Sequence, residues 1–355
     1  MVNIHEKYIR RCIELAKNGL GNTYPNPMVG SVVVLNDKII GEGWHKKAGQ
    51  AHAEVNAIDS VQNKSLLKKA TIYVNLEPCS HHGRTPPCSN LIVQMGIKQV
   101  VVGVIDSNSK VKGTGISYLE NAGCEVLVGV LEKECLELNK RFFTFHEKKR
   151  PYILLKWAKT MDGFMDKIRQ NNAINTPNWI SNPYSQQIVH KMRSCEQSIL
   201  VGTTTAMNDN PKVTIRAWDG CNPIRIVLDR SLRIPKHYNL FDLSEKTIVL
   251  TEEDQIQNEN ENLRFETIDF KKNVPKQICD LLFSLEIQSM IVEGGAETIQ
   301  SFIDTSLWDE AAVFTGSIKF GEGLSAPDLK ISPFNSKSIS DDKLEMYRNG
   351  ELRME

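Results

Sequence analysis

Three metal-binding side chains are spaced along residues 52–88 of this 355-residue chain. They are His52, Cys79 and Cys88, with eight residues between the two cysteines. One imidazole and two thiolates suit tetrahedral Zn²⁺ with a fourth position left for water. Glu54, close to His52 in the chain, is a hard carboxylate that is better suited to moving protons than to joining thiolates on the metal. The stretch therefore predicts a hydrolytic zinc centre in which Glu54 transfers protons.

His-x-Glu followed by Pro-Cys and a second Cys is typical of zinc-dependent base deaminases, although the usual gap between the cysteines is two residues. The alternatives are a core histidine beside two inert thiols, or a zinc ion that only clasps the fold. A nucleic-acid-editing deaminase is disfavoured, because the formal net charge is zero and such enzymes need a basic surface.

Composition bounds the class of protein. The chain is 41% hydrophobic and 24% charged, an ordinary globular balance, and its length predicts two domains or one large one. Its eight cysteines are scattered, and the charged N-terminal segment lacks a signal-peptide pattern. We therefore expect a reduced cytoplasmic setting, with no membrane span and no nucleic-acid partner.

Strand and helix patterns alternate along the first half, which predicts an α/β sheet layered by helices. His52 begins a predicted helix, and a β-branched strand carries Cys79 at its carboxyl end. Pro87 fits the first turn of the next helix, so Cys88 is expected near a helix N-terminus, where the helix dipole favours a thiolate. Both metal-binding segments thus lie at strand–helix junctions, the expected place for an active site.

The second half, after a domain boundary placed at residues 146–151, offers candidate anion sites. Lys156 lies in an apolar strand, where an ammonium is costly unless it is paired or bound to an anion; the alternative is an edge strand that turns Lys156 to water. Backbone N–H groups after residues 203–205 and 293–295 suit phosphate. Residues 164–178 are predicted as a loop. The absence of G-x-G-x-x-G argues against a Rossmann site.

The first half resembles the deaminase domain of the bifunctional riboflavin-biosynthesis deaminase/reductases. The motifs that carry this resemblance are Pro25-Asn26-Pro27, Gly41-Glu42-Gly43-Trp44-His45, His52-Ala53-Glu54, Leu76-Glu77-Pro78-Cys79 and Gly83-Arg84-Thr85-Pro86-Pro87-Cys88, with Asp106 and Asn108. The long gap between the cysteines is typical of this family. The second half resembles the reductase domain of the same family through Leu155-Lys156, Met161-Asp162-Gly163, Trp179-Ile180-Ser181, Thr214-x-Arg216 and Glu293-Gly294-Gly295. We read no motif after about residue 330.

The resemblance implies both fold and activity. Residues 1–148 are expected to form a cytidine-deaminase-like three-layer α/β/α domain, and residues 151–355 a dihydrofolate-reductase-like α/β domain. The implied reactions are zinc-dependent hydrolytic deamination of 2,5-diamino-6-ribosylamino-4(3H)-pyrimidinone 5′-phosphate, then NADPH-dependent reduction of its ribosyl group to ribityl. The implied assembly is a cytoplasmic homo-oligomer, a dimer or a tetramer. The alternative is a deaminase whose degenerate second domain only binds nucleotide or supports assembly.

The resemblance also implies roles for individual residues. Zinc would be held by His52, Cys79 and Cys88, one ion per deaminase domain, and the catalytic residues would be Glu54 and Lys156. The substrate contacts in the deaminase would be Asn26, His45, Arg84, Asp106 and Asn108, although Asn26 also suits a turn and Asp106 a helix cap. The substrate contacts in the reductase would be Arg193, Val213, Arg216 and Glu293. The NADPH contacts would be Ala158, Trp179, Thr205, Asp209, Gly294, Gly295 and Ala296. Departures from the family pattern fall at Ser107, Ser109, residues 164–178, Asn210 and Arg230.

Overall fold

A computed structural model describes residues 3–80, 87–107, 112–169, 178–254 and 260–350. The chain divides into two compact units, Met1–Lys149 and Arg150–Glu355. In the described residues no helix is both long enough and apolar enough to cross a membrane.

The first unit is built on one sheet with helices on both faces. Its elements are α1 (Ile4–Ala16), β1 (Gly30–Leu35), β2 (Lys38–Trp44), α2 (Ala53–Ser60), β3 (Thr71–Leu76), α3 (Cys88–Gln94), β4 (Gln99–Val104), α4 (Thr114–Asn121), β5 (Glu125–Val128), α5 (Glu132–Leu138) and α6 (Lys140–Lys148). The strand order is β2-β1-β3-β4-β5, with β1 antiparallel to both neighbours and β3, β4 and β5 parallel. The carboxyl ends of β3 and β4 therefore meet at one edge of the sheet.

The side chains of β1 point alternately to the two faces of the sheet, and this alternation explains why helices cover both faces. Val32 and Val34 pack in one core cluster with α1, while Val33 packs in the opposite cluster with Ile58 of α2. Side chains on a strand point alternately to its two faces, so a strand that is apolar throughout buries both faces. The predicted three-layer α/β/α architecture is confirmed.

The second unit is built on a larger sheet. Its elements are β6 (Tyr152–Lys159), β7 (Phe164–Asp166), α7 (Pro183–Cys195), β8 (Ser198–Val201), α8 (Thr203–Asp209), β9 (Ile224–Leu228), β10 (Thr247–Thr251), β11 (Leu263–Thr267), α9 (Val274–Ser284), β12 (Ser289–Val292), α10 (Ala296–Asp304), β13 (Glu310–Thr315), β14 (Leu324–Ser325), β15 (Asn335–Ile339) and β16 (Asp342–Arg348). The strand order is β11-β10-β9-β8-β12-β6-β13-β16-β15, parallel from β11 to β13 and antiparallel beyond.

Several local predictions need correction. Strand β6 lies between β12 and β13, so the alternative that placed Lys156 on an edge strand is wrong. The predicted loop 164–178 begins with β7, which pairs with β14. The charged stretch 146–151 is helical as far as Lys148, because buried Phe142, Phe143 and Phe145 anchor α6. The tail after residue 330, in which the sequence shows no motif, forms β15 and β16, and all six residues of β13 pair with β16.

Candidate active sites

The three predicted zinc ligands converge at the carboxyl edge of the first sheet. His52 is the N-cap of α2, Cys79 follows β3 and Cys88 is the first residue of α3. The Nδ1 atom of His52 lies 3.5 Å from Cys79 Sγ and 3.3 Å from Cys88 Sγ. All three ligand atoms lie within 4.8 Å of one another.

These spacings fit a tetrahedral zinc ion. Zn–N bonds of about 2.1 Å and Zn–S bonds of about 2.3 Å at a tetrahedral angle separate the two ligand atoms by about 3.6 Å. The observed separations of 3.5 and 3.3 Å are close to that value. Two sulfurs and one imidazole leave a fourth tetrahedral position for water, as in a catalytic rather than a structural site. Inert core thiols would not be expected to lie, both of them, within 3.5 Å of one imidazole nitrogen. The alternative of two inert thiols is therefore disfavoured.

Backbone groups hold the sulfur atoms in place. The N–H of Cys88 donates to Cys79 Sγ at 3.4 Å, and the N–H and hydroxyl of Ser89 both donate to the Cys79 carbonyl oxygen. Hydrogen bonds from Cys88 and then His52 lower the pKa of the Cys79 thiol, against the opposing effect of burial. The site thus favours the thiolate that zinc needs.

Glu54 lies in the first turn of α2 and is only 3% exposed. Burial raises the pKa of its carboxyl to about 7, the nearby Cys79 adds to the rise, and His52 opposes it. A carboxyl group whose pKa lies near neutrality can both accept and donate a proton. Glu54 also hydrogen-bonds Cys88, which places the carboxyl beside the metal ligands.

Asn26 and His45, the predicted pyrimidine contacts, lie together beside this centre. The Asn26 amide nitrogen is 3.1 Å from His45 Nε2, and His45 Nδ1 is 3.1 Å from the Ala51 carbonyl oxygen. The carbonyl fixes the proton on Nδ1, so Nε2 accepts from Asn26. The His45 and His52 rings are 5.4 Å apart, so the pair borders the metal site. Asp106 is buried just beyond β4, and Arg84 and Asn108 fall outside the described residues.

In the second unit, Lys156 is paired with Glu293, at 3.5 Å between Nζ and Oε2. Arg193 binds the same carboxylate through two hydrogen bonds of 2.7 and 2.8 Å. Burial alone would raise the pKa of Glu293, but Arg193 and then Lys156 lower it to about 2. Burial lowers the pKa of the Lys156 ammonium. Two cations share one carboxylate, so the cluster keeps a net positive charge for an anionic substrate.

His190 belongs to this cluster and was missed in the sequence, where it is one polar residue among several on α7. Its Nδ1 accepts the backbone N–H of Arg216 at 3.1 Å, so the ring helps to place the segment of Val213 and Arg216, two predicted substrate contacts. Val213 is buried with φ of +47°, a strained conformation for a β-branched residue. A strained backbone held in this way supports a functional role for the segment.

Protonation of His190 is expected to destabilise the protein. Burial, and then Arg193 and Arg216, lower the pKa of His190 from 6.5 to about 4. The contribution of the neutral ring to the free energy of unfolding is therefore complete above pH 6.5. It is lost as the pH falls toward about 4. His190→Gln should therefore flatten the pH dependence of the free energy of unfolding in this window, measured by urea titration. His237→Gln, at an exposed histidine, is the control. Parallel curves for His190→Gln and the unsubstituted protein would contradict the assignment.

The predicted NADPH contacts cluster around α8 and α10. Gly295 has φ of +65°, and a Cβ there would lie 3.6 Å from the hydroxyl oxygens of both Thr205 and Thr298. The positive φ favours glycine at this position, which lies between two hydroxyl groups at the N-terminus of α10, where backbone N–H groups can bind an anion. Gly294 and Ala296 flank it on the same turn.

The remaining predicted cofactor contacts are more dispersed. Ala158 lies on β6, and Trp179 is 62% exposed. Asp209 at the end of α8 is bound by Arg169, with 2.7 Å between Nη2 and Oδ1. Arg169 also donates to Asp166 at 2.9 Å. Sequence reasoning did not select Arg169, because it lies in the segment that departs from the family pattern.

Comparison with known proteins assigns each unit to a known domain family. The family described as the cytidine and deoxycytidylate deaminase zinc-binding region matches residues 2–104, and the RibD C-terminal domain matches residues 151–345. A riboflavin biosynthesis protein RibD from Aquifex aeolicus is 41% identical and covers 92% of this chain, which spans 91% of that protein. One from Bacillus amyloliquefaciens is 38% identical, with 95% and 91% covered.

A solved structure matches over nearly the whole chain. The crystal structure of a diaminohydroxyphosphoribosylaminopyrimidine deaminase/5-amino-6-(5-phosphoribosylamino)uracil reductase from Thermotoga maritima is 36% identical, with a TM-score of 0.88 and coverage of 98% of this chain and 99% of that one. These matches define an enzyme class in which a zinc-dependent deaminase domain precedes a reductase domain. The chain belongs to the RibD family of riboflavin biosynthesis proteins. The predicted family, folds and zinc dependence are confirmed.

Proposed function

We propose that the zinc centre of the first unit deaminates 2,5-diamino-6-ribosylamino-4(3H)-pyrimidinone 5′-phosphate and that the second unit reduces the ribosyl group of the product to ribityl with NADPH. The observation that carries the proposal is the convergence of His52, Cys79 and Cys88 within 4.8 Å, with buried Glu54 beside them. We also propose a cytoplasmic homo-oligomer, a dimer or a tetramer, to be tested by light scattering. None of the eight cysteines, all of which lie in the described residues, forms a disulfide, which supports a reducing compartment.

In the deamination, the zinc ion supplies a water molecule of lowered pKa when it is bound. His52, Cys79 and Cys88 would hold the ion, and the Glu54 carboxylate accepts a proton from the water that adds to the amine-bearing ring carbon. Glu54 then returns the proton to the nitrogen, which leaves as ammonia. His45 and Asn26 hold the pyrimidine edge with ring and amide groups. Asp106 contacts the ribose phosphate, a role that the family resemblance also gives to Arg84 and Asn108.

In the reduction, NADPH supplies a hydride when it is bound. The ribosyl group also needs one proton, and Lys156 is the buried acid placed to give it. Arg193 and Arg216 bind the substrate phosphate, while Glu293 orients Arg193 and Lys156. The turn at Gly294, Gly295 and Ala296 holds the cofactor with Thr205. The other cofactor contacts are Ala158, Trp179 and Asp209. The intact pairing of Lys156, Arg193 and Glu293 argues against a degenerate reductase domain.

Metal removal should separate the two activities. Dialysis against a strong chelator is expected to abolish ammonia release, because no protein group replaces the activated water. Oxidation of NADPH with the deaminated pyrimidine should persist, since none of the second unit's proposed contacts is a metal ligand. Adding Zn²⁺ should restore ammonia release. Ammonia release that survives full chelation would contradict the proposal.

A further inference from the structure

The side chain of Glu77 makes an unusual set of hydrogen bonds beside the zinc site. Its Oε1 accepts the backbone N–H groups of Gly115 at 2.9 Å and Ile116 at 3.3 Å. Its Oε2 accepts those of Asp106 at 3.1 Å and Gly113 at 2.9 Å. One carboxylate, only 4% exposed, thus receives four backbone donors from two segments.

The four N–H donors come from the segment after β4 and from the start of α4. Gly115 and Ile116 form the first turn of α4, whose free N–H groups need partners. Asp106 follows β4 and is proposed to contact the substrate. Glu77 itself follows β3 and is two residues from the zinc ligand Cys79. The carboxylate therefore ties the metal-binding turn to the substrate side of the site.

Further contacts hold the same turn against α4. A Cβ at Gly115 would lie 2.0 Å from the Pro78 carbonyl oxygen, so only glycine allows the helix to approach this closely. The hydroxyls of Ser80 and Thr114 are 2.6 Å apart. Residues 77–80 are thus joined to the start of α4 at three successive points.

From this geometry we infer that Glu77 is a positioning residue for the deamination, which sets the distance between Asp106 and the zinc centre. Cys79 has its own supports from Cys88 and Ser89, so zinc binding does not depend on Glu77. Loss of the carboxylate therefore changes substrate binding more than metal binding. The inference rests on the proposed deaminase function of the site.

The test is Glu77→Gln, which keeps the side-chain shape but replaces one oxygen by an NH₂ group that faces two N–H donors. The KM for the pyrimidine phosphate is expected to rise on the order of tenfold, because two charge-assisted hydrogen bonds are lost. The turnover number should fall less than KM rises. Zinc content and the visible spectrum of the Co²⁺-substituted protein should stay unchanged. The unchanged Co²⁺ spectrum reports that the first unit is folded, and NADPH oxidation with the deaminated substrate reports that the second unit is intact.

Glu125→Gln is the matched control, because Glu125 is an exposed glutamate on β5 of the same unit. An unchanged KM for Glu77→Gln, or a loss of zinc with normal KM in the zinc-loaded fraction, would overturn the inference. If Glu77→Gln fails to fold, Thr114→Val removes the hydroxyl partner of Ser80, and KM should still rise about two- to threefold; an unchanged KM there also overturns it. Failure of the proposed function itself would appear separately, as ammonia release that persists in Glu54→Gln.

Discussion

Glu54→Gln is expected to abolish ammonia release while zinc stays bound. Glutamine keeps the shape of the buried side chain but can neither accept the proton of the attacking water nor return it to the leaving nitrogen. Loss of a general acid–base group lowers rates by about 10²- to about 10⁴-fold. The metal ligands His52, Cys79 and Cys88 are untouched, so the zinc content per chain should equal that of the unsubstituted enzyme.

Ammonia release and metal content need to be measured on the same preparation. Asp59→Asn is the matched control, since Asp59 is an exposed carboxylate on the same helix α2. It should keep full activity. Normal ammonia release by Glu54→Gln would favour the reading in which zinc only clasps the fold.

Lys156→Met is expected to lower the reductase rate about a hundredfold and to leave deamination intact. Removing one preorganised donor at a developing charge typically has an effect of this size. Methionine fills the volume of the alkyl chain, and Glu293 keeps its two hydrogen bonds to Arg193, so the carboxylate is not left unpaired. NADPH oxidation with the deaminated pyrimidine is the measurement, ammonia release checks that the first unit is unaffected, and circular dichroism with a thermal melt checks that the second unit is folded.

Lys337→Met, at an exposed lysine on β15, controls for loss of a charge elsewhere in the second unit. If NADPH oxidation is absent in both the unsubstituted enzyme and Lys156→Met, the deaminase-only alternative stands. If the two oxidise NADPH equally fast, Lys156 has no catalytic role.

The zinc centre could be predicted in detail because the combination of His52, Glu54, Cys79 and Cys88 at these spacings is rarely found without a metal site. The reductase site is different, since it depends on strand order. Lys156 could not be assigned to a central strand from the sequence, because β13 reads as a short apolar run and its partner β16 lies in a tail without a motif. Their pairing is decided by long-range contacts that local patterns do not encode.

Glu77 and His190 show a second limit of sequence reasoning. Each acts through backbone N–H groups that come from residues distant in the chain, 29 to 39 positions away for Glu77 and 26 for His190. The donors are present in nearly every residue, so no side-chain pattern marks them. Arg169 was missed for a different reason, because it lies in the segment 164–178 that departs from the family pattern.

The position of β16 also has a consequence for synthesis on the ribosome. The first unit ends at Lys149, so all of its strands have emerged before most of the second unit is translated. In the second unit, β13 is flanked by β6 and β16, and β16 ends only at Arg348. Domains fold as units in the order of their synthesis. The zinc site can therefore form early on the nascent chain, whereas β13, the strand beside Lys156, has no partner on its other edge until β16 has been translated as far as Arg348.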